Sequence, residues 1–154
     1  MKQPIILIGG GGHCKSCIDV IEQEGHFTIK GIIDMPEKKG EKILGYEIFA
    51  NDDDIPELAK THENFFITLG HLDSPQRRIE LFTLLKELDK TLPIIISPNA
   101  YISKHAIIDE GTIIMHHTVI NAGSKIGENC IINNKALIEH DAIIGSNCHI
   151  STGA

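Results

Sequence analysis

Over the first 97 residues, short apolar runs alternate with amphipathic stretches. Residues 4–8 (Pro-Ile-Ile-Leu-Ile) are continuously apolar, as a short buried strand requires. Four glycines, Gly9 to Gly12, and His13 follow. The next stretch puts Cys17, Ile18 and Ile21 on one helical face. Residues 28–34 predict a second strand that ends on an acidic residue, Asp34. Asp52, Asp53 and Asp54 then precede a short helix through Ile55, Leu58 and Ala59, and residues 65–70 predict another strand. Ser74 reads as a cap and Pro75 as a favoured first helical residue, with Ile79, Phe82, Leu85 and Leu88 near helical spacing to about Asp89. Residues 92–96 close the series as a last strand. Strands and helices alternating at these lengths predict a small parallel sheet with right-handed crossovers, about half of a dinucleotide-binding fold.

Beyond residue 97 the period becomes six. Small residues fall at Ala100, Ala106, Thr112, Ser124, Ala136, Ala142 and Ala154, with Thr118, Cys130 and Cys148 in the same slot. Two residues later comes isoleucine without exception, at Ile102, Ile108, Ile114, Ile120, Ile126, Ile132, Ile138, Ile144 and Ile150. A helix needs a period near 3.6 and a plain strand a period of two, so a period of six predicts short strands joined by regular corners. Three hexads make one triangular coil, and residues eighteen apart, such as Ile102, Ile120 and Ile138, stack as a ladder at strand spacing. The chain thus divides into an α/β domain, residues 1–97, and a coil domain of about three turns, residues 98–154.

Composition removes several function classes. Of 154 residues, 14 are Lys or Arg and 21 Asp or Glu, a formal charge of −7, and both arginines, Arg77 and Arg78, sit together. Such a chain offers no basic surface for nucleic acid. The apolar run at residues 5–8 is far too short to cross a bilayer and lacks the layout of a secretion signal, so a soluble, cytoplasmic protein with no membrane partner is expected. Cys14-Lys-Ser-Cys17 is a CxxC at a helix start, but it lacks the aromatic and proline neighbours of a redox site, and Cys17 belongs to the apolar face. Cys130 and Cys148, eighteen apart, read as coil filler, so no metal site is expected. His26, His62, His116 and His117 read as solvated.

Two places can carry chemistry. The glycine turn opens a helix after a strand, where backbone amides and the positive helix end can meet a phosphate. As a GxGxxG fingerprint it fails at the last position, Cys14, while Asp34 stands where an acid could accept hydrogen bonds from a ribose or base. The other place is Glu139-His140-Asp141, between inward Ile138 and inward Ala142. The imidazole should leave the coil with carboxylates beside it, either as a surface ion pair or as a base with its tautomer fixed.

The hexads resemble those of the hexapeptide-repeat acyltransferases, with Ile126-Gly-Glu-Asn-Cys130 and Ile144-Gly-Ser-Asn-Cys148 matching the repeat. That resemblance implies a left-handed parallel β-helix. Gly9 to His13, and Ile138-Glu-His-Asp-Ala-Ile-Ile-Gly145 leading to His149, further resemble a sugar acetyltransferase family. It contains the bacterial sialic acid O-acetyltransferases and the N-acetyltransferases of UDP-4-amino sugars such as the bacillosamine precursor.

The resemblance implies that His140 is the general base, polarised by Asp141, and that His149 lies on the acetyl-CoA side. It implies a nucleotide-sugar pocket lined by Gly9, Gly12, His13, Asp34 and Gly70. Acetyl-CoA would be the co-substrate, the acceptor a nucleotide-linked amino sugar of glycan biosynthesis, and the assembly a homotrimer with sites between neighbouring subunits. Cys14 and His71 depart from the family pattern. Relatives also continue for further coils, which supply acetyl-CoA contacts and an oxyanion donor, so the chain reads as cut short. The alternatives are O-acetylation of sialic acid, a non-catalytic nucleotide-sugar-binding or assembly module, and a nicotinamide-dependent oxidoreductase, for which the half-fold is too small.

Overall fold

In the computed structural model, which describes residues 1–71 and 73–154, the first part of the chain is a five-stranded sheet flanked by helices. Its elements are β1 (Gln3–Ile8), α1 (Gly12–Glu24), β2 (Phe27–Ile33), β3 (Lys42–Ile43), β4 (Tyr46–Ala50), α2 (Ile55–Leu58), β5 (Asn64–Ile67) and α3 (Gln76–Glu87). The sheet order is β3-β4-β2-β1-β5, parallel except for the edge strand β3. The interior strand β1, between β2 and β5, buries Ile5 to Ile8 completely because both faces of the sheet are covered.

Two sequence expectations change here, and one element is unanticipated. The hairpin β3–β4 has no counterpart in the apolar pattern, since its turn residues Leu44 and Gly45 at positive φ belong to a short, half-buried edge. Pro75 is the N-cap of α3 rather than its first residue, with Ser74 Oγ accepting from the Gln76 N–H at 3.1 Å. The strand expected at residues 92–96 is not part of the sheet. Thr91 bridges to Asn64, but Ile95–Ile96 (β6) pairs with Ile113–Ile114 in the coil.

From β6 onward the chain winds into a prism. Its rungs are β7 (Tyr101–Ile102), β8 (Ile107–Ile108), β9 (Ile113–Ile114), β10 (Val119–Ile120), β11 (Lys125–Ile126), β12 (Ile131–Ile132), β13 (Leu137–Ile138), β14 (Ile143–Ile144) and β15 (His149–Ile150). They form three parallel sheets, β6-β9-β12-β15, β7-β10-β13 and β8-β11-β14. Residues eighteen apart pair, Ile102 with Ile120 and Ile120 with Ile138, as the hexad count predicts. Inward isoleucines and the small slot at Thr112, Thr118, Ser124, Cys130 and Ala136 close the core.

The corners obey a rule of their own. Gly111, His117, Gly123, Asn129, Lys135, Asp141, Asn147 and Gly153, each six residues after the last, all have φ between 55° and 80°. Each corner therefore turns through one left-handed residue, which glycine and asparagine enter at least cost.

One prism face is covered by the sheet domain. Ile113 and Ile131 are buried against Cys14, Cys17 and Ile21 of α1, whereas Ile107 and Ile143, at equivalent outward positions of the β8-β11-β14 face, are 55% and 76% exposed. Burying such a side chain is worth roughly 1.5–3 kcal/mol, so the two parts share one core rather than a hinge.

Candidate active site

The glycine turn and the prism meet around a cluster of imidazoles. Gly9 has φ 114° and packs against Leu69, and a Cβ there would crowd Leu69 from below 3 Å. This contact sets the turn directly beside the end of β5. Gly11, Gly12, His13, Leu69, Gly70, Ser74 and Arg77 line an open cavity of about 740 Å³ at the N-terminus of α1. The helix dipole and its free amides favour an anion there.

His13 is half-buried with Nε2 3.2 Å from Cys17 Sγ. Burial, with Arg78 and His149 adding to it, holds its pKa down to about 4, so the ring is neutral at physiological pH. His149 stacks on His71 with ring centroids 5.9 Å apart and accepts from Asn133 Nδ2 at 3.1 Å. His71 is lowered by burial, then by His149 and Arg78. Asp34 does not line the cavity. Its Oδ2 accepts from the Gly10 N–H at 3.1 Å and from Lys38 Nζ at 3.0 Å, so the carboxylate braces the glycine turn.

Arg78 is a member of this cluster that the apolar pattern conceals. It lies on the inner face of α3 with Leu81 and Leu85, 2% exposed. Its Nη1 donates to the carbonyls of Ile67 and Leu69, and its Nη2 to the Asn129 side chain at 2.8 Å. Asn129 Nδ2 donates in turn to Asn147 Oδ1. One guanidinium thus ties the Leu69–Gly70 loop to two stacked prism corners. Burial brings its pKa down to about 10, which still leaves it charged. His116, expected to be solvated, is instead half-buried, with Nε2 2.8 Å from Asp19 Oδ2 and Nδ1 2.6 Å from Ser97 Oγ. It pins α1 to a second prism corner.

His140 stands elsewhere. It lies on the corner between the β7-β10-β13 and β8-β11-β14 faces, opposite the face that the sheet domain covers. Its ring is exposed, and Nδ1 lies 2.8 Å from Asp141 Oδ2. The hydrogen bond that the ring donates to Asp141, then the charges of Asp141 and Glu139, raise the imidazole pKa above its ordinary value. With Nδ1–H donating to the carboxylate, Nε2 is left as a free acceptor facing solvent. The Glu139 carboxylate accepts from the His140 backbone N–H at 2.9 Å and from Asn121 Nδ2 of the coil below at 2.7 Å. Among the described residues, every hydrogen bond of this corner stays within the prism, and no group of three His, Cys, Asp or Glu side chains could hold a metal ion. None of the described helices is long and apolar enough to cross a membrane.

The chain thus combines a parallel-sheet domain with an open glycine turn and a prism of six-residue repeats that exposes an imidazole held by a carboxylate. The PglD N-terminal domain family matches residues 4–84, more than half of the chain, and the chain belongs to that family. The bacterial transferase hexapeptide family matches residues 123–154.

Solved structures agree. The chain is 30% identical to PerB from Caulobacter crescentus, in complex with CoA and GDP-perosamine, with a TM-score of 0.85 over 95% of this chain and 67% of that one. A mutant of perosamine N-acetyltransferase from the same organism, bound to the same two molecules, is 28% identical with a TM-score of 0.86 over the same shares. The acetyltransferase domain of PglB from Neisseria gonorrhoeae shares the fold, at 24% identity and a TM-score of 0.88, over 99% of this chain and 72% of that one. A search of curated protein sequences finds no match.

Proposed function

We propose that the protein transfers an acetyl group from acetyl-CoA to the amino group of a nucleotide-linked amino sugar, with His140 as general base. The observation that carries this reading is the exposed His140 ring with Nδ1 held by Asp141 at 2.8 Å. The complexes of the similar proteins with CoA and GDP-perosamine support the substrate class.

In the reaction the neutral amine attacks the thioester carbonyl and its carbon–sulfur bond breaks. His140 Nε2 accepts the proton that the amine loses and returns it to the departing CoA sulfur, so no covalent enzyme intermediate forms. Asp141 raises the imidazole pKa, so the base form is present above that raised value and activity falls as pH drops through it.

The nucleotide sugar fits the cavity at the start of α1, with a phosphate against the Gly11 and Gly12 amides and neutral His13 beside the sugar. His149 takes the acetyl-CoA side. In one chain this cavity is lined by the sheet domain while His140 stands on the prism corner opposite the face that domain covers, so the reading includes a homotrimer in which the imidazole of one subunit faces the cavity of the next. Exposed Tyr101, Leu137, Ile107 and Ile143 flank the His140 corner and supply apolar surface for such an interface.

The test is thiol release from acetyl-CoA with GDP-linked and UDP-linked 4-amino sugars and with sialic acid. Turnover with one of the amino sugars, lost by about 10²-fold or more in His140→Ala, is the expected result. Turnover with sialic acid alone would replace the amine by a hydroxyl acceptor. Unchanged turnover in His140→Ala would remove the base from the mechanism.

A further inference from the structure

Beneath the His140–Asp141 pair the prism leaves out one side chain. Gly123 occupies the same corner position as Asp141, eighteen residues earlier and one coil below, with φ 80°. Its N–H donates to the His105 carbonyl at 3.2 Å, and the Asp141 N–H donates to Ala122 O at 3.0 Å, so the corners are stacked by backbone bonds. A Cβ on residue 123 would overlap Asp141 Oδ1 and lie 3.2 Å from its carboxyl carbon. One carboxylate oxygen therefore sits in the space that a side chain at 123 would fill, while the other, Oδ2, reaches His140 Nδ1.

The backbone by itself does not require glycine here. His117, Asn129, Lys135, Asp141 and Asn147 make the same turn in the same prism with side chains present. What distinguishes position 123 is its neighbour above. We propose that Gly123 is a positioning residue for acetyl transfer: by withholding a side chain it lets Asp141 seat its carboxylate against His140 and hold the ring with Nε2 outward.

This inference rests on the reading of His140 as base, and its test separates the two. The charged groups acting on the ring are Asp141 and Glu139, and Glu139 is held independently by Asn121. In Gly123→Ala the Asp141 carboxylate is displaced. NMR titration of the His140 ring then gives a pKa moved down toward the ordinary 6.5. At the same time kcat falls about tenfold while KM for both substrates stays within about twofold.

Gly25→Ala is the control: φ there is 79° and a Cβ would meet nothing within 4 Å, so it carries similar backbone strain and leaves both readouts unchanged. In an Asp141→Asn background, Gly123→Ala adds no further loss, because both act through one contact. Should Gly123→Ala fold poorly, Gly123→Asn repeats the test with a residue better suited to positive φ. A His140 ring that titrates as in the unaltered protein in either variant overturns the proposal. A shifted titration with unchanged turnover would instead overturn the reading of His140 as base.

Discussion

His13 and His140 are the same residue type moved in opposite directions by their surroundings. His13 lies against Cys17, and burial, with the charges of Arg78 and His149 adding to it, lowers its affinity for a proton. His140 is in water beside a carboxylate, which increases it. On the proposed reading the first imidazole would hydrogen-bond a ligand without carrying charge, and the second would take up a proton. The difference also marks stability. A histidine whose pKa is held down in the fold binds fewer protons folded than unfolded between pH 6.5 and about 4, so stability falls as pH drops through that window. The melting temperature of His13→Gln is expected to fall less over that range than that of the unaltered protein. Parallel curves would show that His13 does not titrate in this way.

At the scale of elements, the junction between α3 and the prism depends on Arg78. Its buried guanidinium satisfies the carbonyls of Ile67 and Leu69 and the side-chain oxygen of a corner asparagine. Arg78→Met keeps much of the volume but leaves those acceptors unpaired, and a loss of about 3 kcal/mol in unfolding free energy is expected by denaturant titration. A loss below about 0.5 kcal/mol would mean that the carbonyls find other donors.

Periodicity revealed most of the architecture and none of this contact. The six-residue repeat of isoleucine set the prism register, and the strand, glycine turn and helix at residues 4–21 were legible because burial on one face leaves a plain pattern. Arg78 was not, since a charged residue on an apolar face reads as solvent-exposed until its partners, fifty-one residues away at Asn129, are brought to it. The corners offered a signal that went unused: Gly111, Gly123, Asn129, Asn147 and Gly153 are spaced by multiples of six, as left-handed turns require. The strand expected at residues 92–96 failed for the opposite reason. An apolar pair such as Ile95 and Ile96 carries no mark of which sheet it will join.

At the scale of the whole molecule, the cavity belongs to the sheet domain and the His140 imidazole to the prism corner away from it. The sheet domain covers the β6-β9-β12-β15 face, and among the described residues the large apolar side chains that the prism leaves bare, Tyr101, Ile107, Leu137 and Ile143, lie on the other two. A closed ring of three chains would cover them and bring each His140 to a neighbouring glycine turn. Sedimentation of the purified protein is accordingly expected to give a trimer mass, and a monomer at micromolar concentration would contradict the arrangement.

The measurement that bears most directly on the account is subunit complementation. On the proposed reading His140→Ala removes the base and His13→Ala impairs the cavity, so each protein alone is expected to turn over little amino sugar. Co-expressed so that chains assort freely, they are expected to recover about a quarter of the unaltered turnover per site, because one site in four then joins an intact imidazole to an intact cavity. A mixture no more active than its two parents would place the base and the cavity of each site in a single chain, or outside the chemistry altogether.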